Sequence, residues 1–597
     1  MAKSDYSSDI YPGGYSPLNP MQGYFQAGKF GMTTDPRNAN ILQEVFSKLS
    51  SGVKQVEIEA VSPDFLDSVP KQALKEVARL SKLTGIDVSL HGPVMDVSGI
   101  SQQGFSEVER ETAERKIIEF LKRAKELNPE GNIPVNFHSA EGIPGAHLIP
   151  PSQREKEGTK YKRMVVINRD TGRLNTFEGE KEFRPGGEQV TEVSISPEER
   201  LNNWNSTEWK NSMFQIEVNR ENAERIMENI HPIFISQFAQ LQTGQLKPEN
   251  LNKDEITQIK KISSAFEFID QARASVNSHF SRAYEIAKKD NNQEQINLLN
   301  ALSKRYGELV GMDGERIKAP EKYFNPKVYS DALYELTRVL EATPPKAWVP
   351  IEDFALEKSS QTFGNAAYKA YKDLKGKNVP LLVIENPPAG FALSTGEDIK
   401  NMVEKSREQF VKKAVEGGMS KDYAEEEAKK LIGATWDVGH INMLRKYGYS
   451  EKEIVEETKK VAPFVRHVHL SDNFGFEHTE LPMGMGNVPL KEMMEKLGEN
   501  GYDARKIIEA AQWWQHFKTP PFQETLEAVG SPLYSMKMAP YWSQAPGLYQ
   551  GYSSGYGAML PQINYETFAA GFSRLPSELG GSVQGAQGSR MSGRGME

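Results

Sequence analysis

The sequence predicts an α/β fold: a (β/α)8 TIM barrel with a long, mainly helical insertion after strand 4 and a low-complexity C-terminal tail. Two observations predict it. Eight short β-type runs alternate with stretches of helical periodicity, and histidine or acidic residues close most of these runs. The chain has 597 residues, whereas a barrel of this type needs about 250. The remainder must therefore lie in an insertion and in the termini.

The predicted strands follow one another in a regular order. The first is expected near residues 24–32 and the second is the alternating run 53–59, which a helix at 71–83 follows. A third strand at 86–91 precedes a charged helix from about 106 to 127. The other five strands are expected at 133–138, 379–385, 434–437, 466–470 and 506–509.

One interval, from residue 138 to residue 385, is too long for a single βα unit of about 30 residues. Within it, residues 163–183 are expected to form a hairpin that turns at 170–172. From 213 to 342 apolar residues recur every three or four positions, which is typical of amphipathic helices that form a bundle. The predicted organisation is a flexible N-terminal segment (1–22), the barrel (23–139 and 379–517), the insertion (140–378) and a Tyr/Gly/Ser-rich tail (518–597).

The composition excludes several kinds of chemistry. Because the chain has no cysteine, disulfides, iron–sulfur clusters, cysteine-zinc sites and thiol nucleophiles are excluded, and His, Asp and Glu must bind any metal. The formal charge of −9 argues against a generic nucleic-acid coat, although not against a local basic groove. No run of about 18 apolar residues occurs, and the first twenty residues lack a signal-peptide pattern. We expect a cytoplasmic protein without a membrane partner.

Histidine and acidic residues gather at the predicted strand ends, where barrels of this type have their active sites. The chain has only ten histidines, and five of them lie at these ends or one turn beyond. A single histidine that closes a strand is more often a loop anchor than a ligand. Several imidazoles that converge with carboxylates at one barrel mouth, however, make a site for zinc, manganese or another first-row divalent ion. His467 shares a strand face with His469, and we expect it to support the ligands.

Seven short motifs carry this chemistry. They are Leu90-His-Gly-Pro93, Asn136-Phe-His-Ser139, Ile384-Glu-Asn386, Asp437-Val-Gly-His440, His467-Val-His-Leu-Ser-Asp-Asn473, Leu481-Pro-Met-Gly-Met-Gly-Asn487 and Ile508-Glu509. With these motifs, residues 24–517 outside the insertion resemble the xylose-isomerase-like TIM-barrel superfamily. This superfamily contains endonuclease IV (AP endonuclease family 2) and the sugar isomerases and epimerases of the tagatose-epimerase type.

The number of ligands favours the first function that the resemblance implies, an endonuclease IV-like hydrolase that cleaves phosphodiesters at abasic sites in damaged DNA with up to three Zn2+ ions. Catalytic roles would then fall to Glu385, Glu509 and His440. Arg37, Trp513 and Trp514 are expected to contact phosphate or to stack on a base or sugar. In the loop after strand 7, histidine and carboxylate stand in the reverse of the family's order. The implied metal ligands are His91, His138, Glu385, Asp437, His440, His469, His478, Glu480 and Glu509.

The alternative is an isomerase or epimerase of a small sugar or sugar phosphate. The resemblance then implies one Mn2+, Mg2+ or Co2+ ion held by Glu385, Asp437, His469 and Glu509, with His440 contacting the sugar. The motifs at 471–473 and 481–487, the net acidity and an insertion able to close a pocket favour this alternative. A third hypothesis, a barrel retained as a binding or structural module, is disfavoured by the full set of ligands. The oligomeric state stays open.

Overall fold

The structure, a computed structural model, describes residues 30–35, 40–50, 52–60, 69–101, 103–140, 142–184, 191–510, 513, 521, 522 and 525. In this part of the chain eight parallel strands close into a barrel, in which each strand pairs with the next and the last pairs with the first. The predicted fold class is therefore confirmed. The strands are β1 (Phe30–Thr33), β2 (Gln55–Glu59), β3 (Asp87–His91), β4 (Pro134–His138), β5 (Leu381–Glu385), β6 (Ile432–Asp437), β7 (Val465–Leu470) and β8 (Arg505–Ile508).

The register of the strands brings the polar strand ends side by side. His138 lies opposite Glu385, and Asp437 lies opposite His469. Since successive strand residues point to opposite faces, His469 and the residue two before it share the inner face of β7. The intervening Val468 packs outward and is fully buried. The barrel interior is consequently polar near its carboxyl end.

Helices surround the barrel and bury their apolar faces against it. Ser106 caps the helix after β3 by accepting a hydrogen bond from the Glu109 amide, and Thr395 and Ser450 begin their helices with capping boxes. The helix after β7 is interrupted at Gly498. The helices of this unit are Ile41–Ser50, Lys71–Thr84, Glu107–Leu127, Pro151–Glu157, Ile351–Asp373, Gly396–Glu416, Lys421–Leu431, Val438–Asn442, Glu451–Val461 and Leu490–Asp503.

The described residues form two compact units. The barrel unit contains the described residues up to Ile167, Thr171–Thr176 and the described residues from Pro350 onward. It includes the short strands Ile100–Ser101, Gly104–Phe105 and His147–Leu148. Strands Tyr161–Asn168 and Leu174–Glu178 flank the predicted turn at 170–172. The helix Ile351–Asp373 lies within the predicted insertion 140–378 but belongs to the barrel unit.

The second unit, called here the helical unit, consists of Asn168–Asp170 and Phe177–Val349. It has its own apolar core, which includes Trp209, Met213, Ile269 and Leu333. The strands Glu180–Arg184 and Thr191–Ile195 pair with each other, as do Met312–Asp313 and Arg316–Ile317. The helices of this unit are Pro197–Met227, Pro232–Gln242, Lys253–Lys289, Gln293–Val310, Pro320–Tyr323 and Pro326–Ala342.

Some predictions concern residues outside those that the structure describes. They are the N-terminal segment 1–22, Arg37, Trp514 and nearly all of the tail from 518. Among the described residues, no helix combines the length and the hydropathy that a membrane span requires.

Candidate metal centre

Glu385, at the end of β5, lies at the centre of the candidate site and is fully buried. Its Oε2 atom is 3.3 Å from Nε2 of His91 and 3.5 Å from Nε2 of His138. Its Oε1 atom is 3.0 Å from Nδ1 of His469 and 3.7 Å from Nδ1 of His440. One carboxylate thus lies near four imidazoles that come from β3, β4, β7 and the short helix after β6.

His469 is shared between two carboxylates. Its Nδ1 atom is 3.0 Å from Oε1 of Glu385 and also 3.0 Å from Oε1 of Glu509. Two tetrahedral ligands bound at about 2.0–2.1 Å to one ion lie roughly 3.3 Å apart, so these contacts have the spacing of neighbouring ligands. Ligand atoms of His91, Glu385, His469 and Glu509 all lie within 4.8 Å of one another.

Asp437 is the last residue of β6. One of its carboxylate oxygens accepts hydrogen bonds, and the other has no donor among the described residues. Its Oδ1 accepts hydrogen bonds from the His440 amide (2.7 Å) and from the Ser471 hydroxyl (3.3 Å). Its Oδ2 is buried, has no hydrogen-bond donor among the described residues, and lies 3.9 Å from Nε2 of His440. A buried oxygen without a donor is costly, and a cation would satisfy it. Glu385, Asp437 and His440 form a second group of ligand atoms within 4.8 Å of one another.

In this cluster, protons held by His469 and Glu509 offset negative charge that a bound cation would also offset. Burial opposes a charge on His469, but Glu385, Glu509 and Glu57 outweigh it and raise the pKa of this imidazole well above its usual value. Burial raises the pKa of Glu509 well above that of an ordinary carboxyl. Although Glu385 is buried too, His469 and His138 hold its pKa well below the usual range. Metal ligands bind in their deprotonated forms, so the donor set fits a divalent ion that would displace these protons.

His478 and Glu480 lie on the loop after β7. Nε2 of His478 is 2.8 Å from Nε2 of His440 and 3.7 Å from Oε1 of Glu480. Burial lowers the pKa of His440 to about 4, so its neutral ring can accept a hydrogen bond from His478. The side chains of His478 and Glu480 are 33% and 26% exposed, and neither joins the close ligand groups that the described residues form.

Glu57 and Glu59 lie on the inner face of β2 and were not predicted from the sequence as site residues. Glu57 is fully buried and bonds Nε2 of His467 at 2.8 Å. Ligand atoms of Glu57, Glu59 and Glu509 lie within 4.8 Å of one another, and burial raises the pKa of Glu59 to about 7. The signal was present in the sequence, because Glu57 and Glu59 alternate with Val56 and Ile58.

Asn136 was missed as well. It lies two residues before His138 on β4, is fully buried, and donates a hydrogen bond from Nδ2 to Oε2 of Glu385. Of the predicted substrate contacts, Trp513 is described and partly exposed, whereas Arg37 and Trp514 lie outside the described residues. The roles of all the candidate ligands and substrate contacts stay predictions.

Known proteins resemble parts of this chain. Residues 418–529, which hold the ends of β6, β7 and β8, match the xylose isomerase-like TIM barrel family. Uncharacterized protein MJ1311 of Methanocaldococcus jannaschii is 38% identical over 80 residues, which are 13% of this chain and 26% of that protein. A crystal structure of a D-tagatose 3-epimerase-like protein is 13% identical and has a TM-score of 0.33, with 84% of this chain and 99% of that chain covered. The resemblance that the motifs indicated is thus confirmed: this barrel is similar to the xylose isomerase-like TIM barrel family, and residues 418–529 are the segment that matches it.

Proposed function

We propose that this protein is a divalent-metal-dependent isomerase or epimerase of a small polyhydroxylated carbonyl compound, namely a sugar or sugar phosphate. The arrangement of Glu385 and Glu509, each 3.0 Å from Nδ1 of His469, supports this proposal. Isomerisation and epimerisation remove a proton from a carbon beside a carbonyl group and return it to the other face or to the adjacent carbon. Two carboxylates at one point provide the base and the acid for these transfers.

The residues of the candidate centre would have two roles, which are binding of the ion and substrate and transfer of the proton. Glu385, Asp437, His469 and Glu509 would hold the ion, which when bound polarises carbonyl and hydroxyl oxygens of the substrate. Glu385 and Glu509 would take up the substrate proton and return it. The ring of His440 is oriented by the 2.7 Å contact between its Nδ1 and the carbonyl oxygen of Asn386. Its Nε2 is therefore directed away from that carbonyl and can bind a substrate hydroxyl in exchange for its 2.8 Å contact with His478.

An endonuclease IV-like hydrolase of abasic-site DNA is the second candidate, and one pair of contacts favours it. His91 and His138 both lie beside the Oε2 atom of Glu385, at 3.3 and 3.5 Å, and a centre with one ion does not need both of them. Zinc would then be the cofactor, and Glu385 would serve two ions. The 2.8 Å contact between His440 and His478 is shorter than the roughly 3.3 Å expected for two ligands of one zinc ion. This contact weakens the case for a third ion.

Metal content and solvent exchange distinguish the two candidates. An isomerase purified without chelator should carry about one Mn, Mg or Co ion per chain. In D2O it should introduce deuterium beside the carbonyl group of a ketohexose or its phosphate. A hydrolase should carry two or three zinc ions and cleave an abasic-site duplex, without any exchange into sugars. Zinc in that ratio together with strand cleavage would overturn the isomerase proposal.

Substitution of Glu509 tests the acid–base role. Glu509→Gln removes a proton acceptor and should slow deuterium exchange by about 10²–10⁴-fold, while circular dichroism and the melting temperature show that the fold is kept. Glu495→Gln, an exposed glutamate of the helix after β7, is the matched control and should exchange at the rate of the unchanged protein. If Glu509→Gln keeps the full exchange rate, Glu509 has no part in proton transfer.

Under the hydrolase alternative, His91→Ala should release at least one zinc ion and abolish strand cleavage.

A further inference from the structure

We propose that Glu57 is a positioning residue of the metal centre, which holds the Nε2–H of His469 so that the Nδ1 lone pair is presented to the ion. The inference rests on the proposed metal-dependent function. It adds a residue on β2 that is outside the ligand set.

The two ring nitrogens of His469 face different carboxylates. Nδ1 lies 3.0 Å from Glu385 and from Glu509, among the candidate ligands, whereas Nε2 lies 2.9 Å from Oε1 of Glu57. A neutral imidazole has one N–H and one lone pair. If Nδ1 is the ligand atom, its lone pair must be free and the proton must reside on Nε2, beside Glu57. A carboxylate behind a ligating histidine fixes the tautomer and the orientation of the ring in this way.

Nε2 of His469 and Oε1 of Glu57 are both available for a hydrogen bond with each other. The two atoms are 2.9 Å apart, and neither has another hydrogen-bond partner among the described residues. The two atoms are thus at hydrogen-bond distance, although their contact does not count as a hydrogen bond. Nε2 of His469 is therefore a donor, and Oε1 of Glu57 an acceptor, that can form a hydrogen bond with each other.

Glu57 is itself fixed by two further strands. Its Oε2 accepts a hydrogen bond of 2.6 Å from the Ser89 hydroxyl on β3 and lies 2.8 Å from Nε2 of His467 on β7. The carboxylate is fully buried, and these two contacts leave Oε1 directed at His469. The motif His467-Val-His469 thus supplies one histidine that anchors Glu57 and another that Glu57 positions.

The tautomer of His469 tests this role directly. Ring 15N spectra of histidine-labelled, chelator-treated protein, recorded at a pH high enough that the imidazole of His469 is neutral, should show His469 with its proton on Nε2, and the chain has only ten histidines to assign. Glu57→Ala removes the acceptor, so we expect the Nδ1–H form to appear and metal affinity to fall about 10–100-fold. Glu57→Gln keeps an acceptor oxygen and should retain the tautomer with a smaller loss of affinity. Glu352→Gln alters a partly buried carboxylate of the barrel unit away from the candidate centre and should change neither measurement.

An unchanged tautomer and an unchanged metal affinity in Glu57→Ala would overturn the proposal. If Glu57→Ala does not fold, Glu57→Gln and Ser89→Ala replace it. Ser89→Ala frees one side of the carboxylate and should weaken metal binding by about three- to tenfold, and wild-type affinity in both replacement variants would overturn the proposal. If the unchanged protein binds no divalent ion, the proposed function fails, while the tautomer comparison in metal-free protein still decides the role of Glu57.

Discussion

Asn386, the residue after Glu385, shows how a neutral side chain holds charged ligands in place. It is fully buried, and its side-chain amide makes two bonds to the backbone of Asp437. Its Oδ1 accepts a hydrogen bond of 2.8 Å from the Asp437 N–H, and its Nδ2 donates one of 3.0 Å to the Asp437 carbonyl. Its own carbonyl oxygen contacts Nδ1 of His440. The positions of Glu385, Asp437 and His440 are thereby linked through one residue.

Asn386→Ala should destabilise the protein and weaken the metal site. The substitution leaves the buried N–H and C=O of Asp437 without these partners, and each loss costs about 1–3 kcal/mol. We expect the free energy of unfolding, measured by denaturant titration of metal-free protein, to fall by about 2–5 kcal/mol. Asn386→Asp keeps an acceptor for the Asp437 N–H but places a second acceptor oxygen against the Asp437 carbonyl and buries a negative charge, so it should not recover the loss. A loss below about 1 kcal/mol in the alanine variant would contradict this account.

Among the structural elements, the loop after β7 depends on Asp472. Its Oδ2 accepts hydrogen bonds from the amides of Gly484 (2.8 Å) and Gly486 (2.9 Å), and its Oδ1 accepts one from Val488 (3.1 Å). Its backbone also pairs in both directions with Leu481. These bonds close the base of the loop 473–480, which carries His478 and Glu480.

Asp472→Ala should loosen this loop and leave the strand before it intact. Four hydrogen bonds to a charged acceptor are lost, since the Asn473 amide also donates to Oδ1, and each is worth about 1.5–3 kcal/mol. We therefore expect hydrogen exchange at the amides of Gly484, Gly486 and Val488 to become at least about 10²-fold faster. The amides of Val468 and Leu470 in β7 are the internal control. If the loop amides keep their protection in the variant, Asp472 does not hold the loop.

Strand ends could be predicted from the sequence far better than strand beginnings or strand faces. β3 and β5 end at His91 and Glu385, as predicted, because a polar residue at the barrel mouth interrupts an apolar run. β5 begins at Leu381 instead of the predicted residue 379, since the residues before a strand can be as apolar as the strand. Glu57 was not predicted because the alternation of polar and apolar residues in β2 shows that the two faces of the strand differ, but not which face lines the barrel interior. The closure of the barrel determines which face is inside.

For the whole molecule, one contribution to the pH dependence of stability arises away from the candidate centre. Burial, together with the nearby carboxylates of Asp398 and Asp353, raises the pKa of Glu352 to about 7. The Oε1 atom of Glu352 accepts a hydrogen bond from the Ala146 amide. Because the pKa in the folded state exceeds the ordinary value of 4.5, folding favours the protonated form. The resulting stabilisation is complete below about pH 4.5 and is lost as the pH rises through about 7.

Glu352→Gln should therefore flatten the dependence of stability on pH. The glutamine is neutral at every pH, so the decrease in the free energy of unfolding between about pH 4.5 and 7.5 should shrink by about 1–3 kcal/mol. Because Glu352 is partly exposed to solvent, we expect a smaller change in the free energy of unfolding than the full pKa shift would give. Denaturant titrations of the variant and the unchanged protein, both in chelator, measure the difference. Parallel pH profiles would show that Glu352 is ionised in the folded protein.

The insertion between β4 and β5 also sets the order in which the centre is built during synthesis. These strands are hydrogen-bonded neighbours, yet 242 residues separate His138 from Leu381. At about 5–20 residues per second, β4 waits roughly 12–50 s for its partner, with an unpaired edge of the kind that invites aggregation. The helical unit, whose core is made within itself, can fold in this interval and shorten the effective loop. Glu385 is thus made well after His91 and His138 and before His440 and His469, so the half-built barrel already presents two of its imidazoles when the carboxylate emerges.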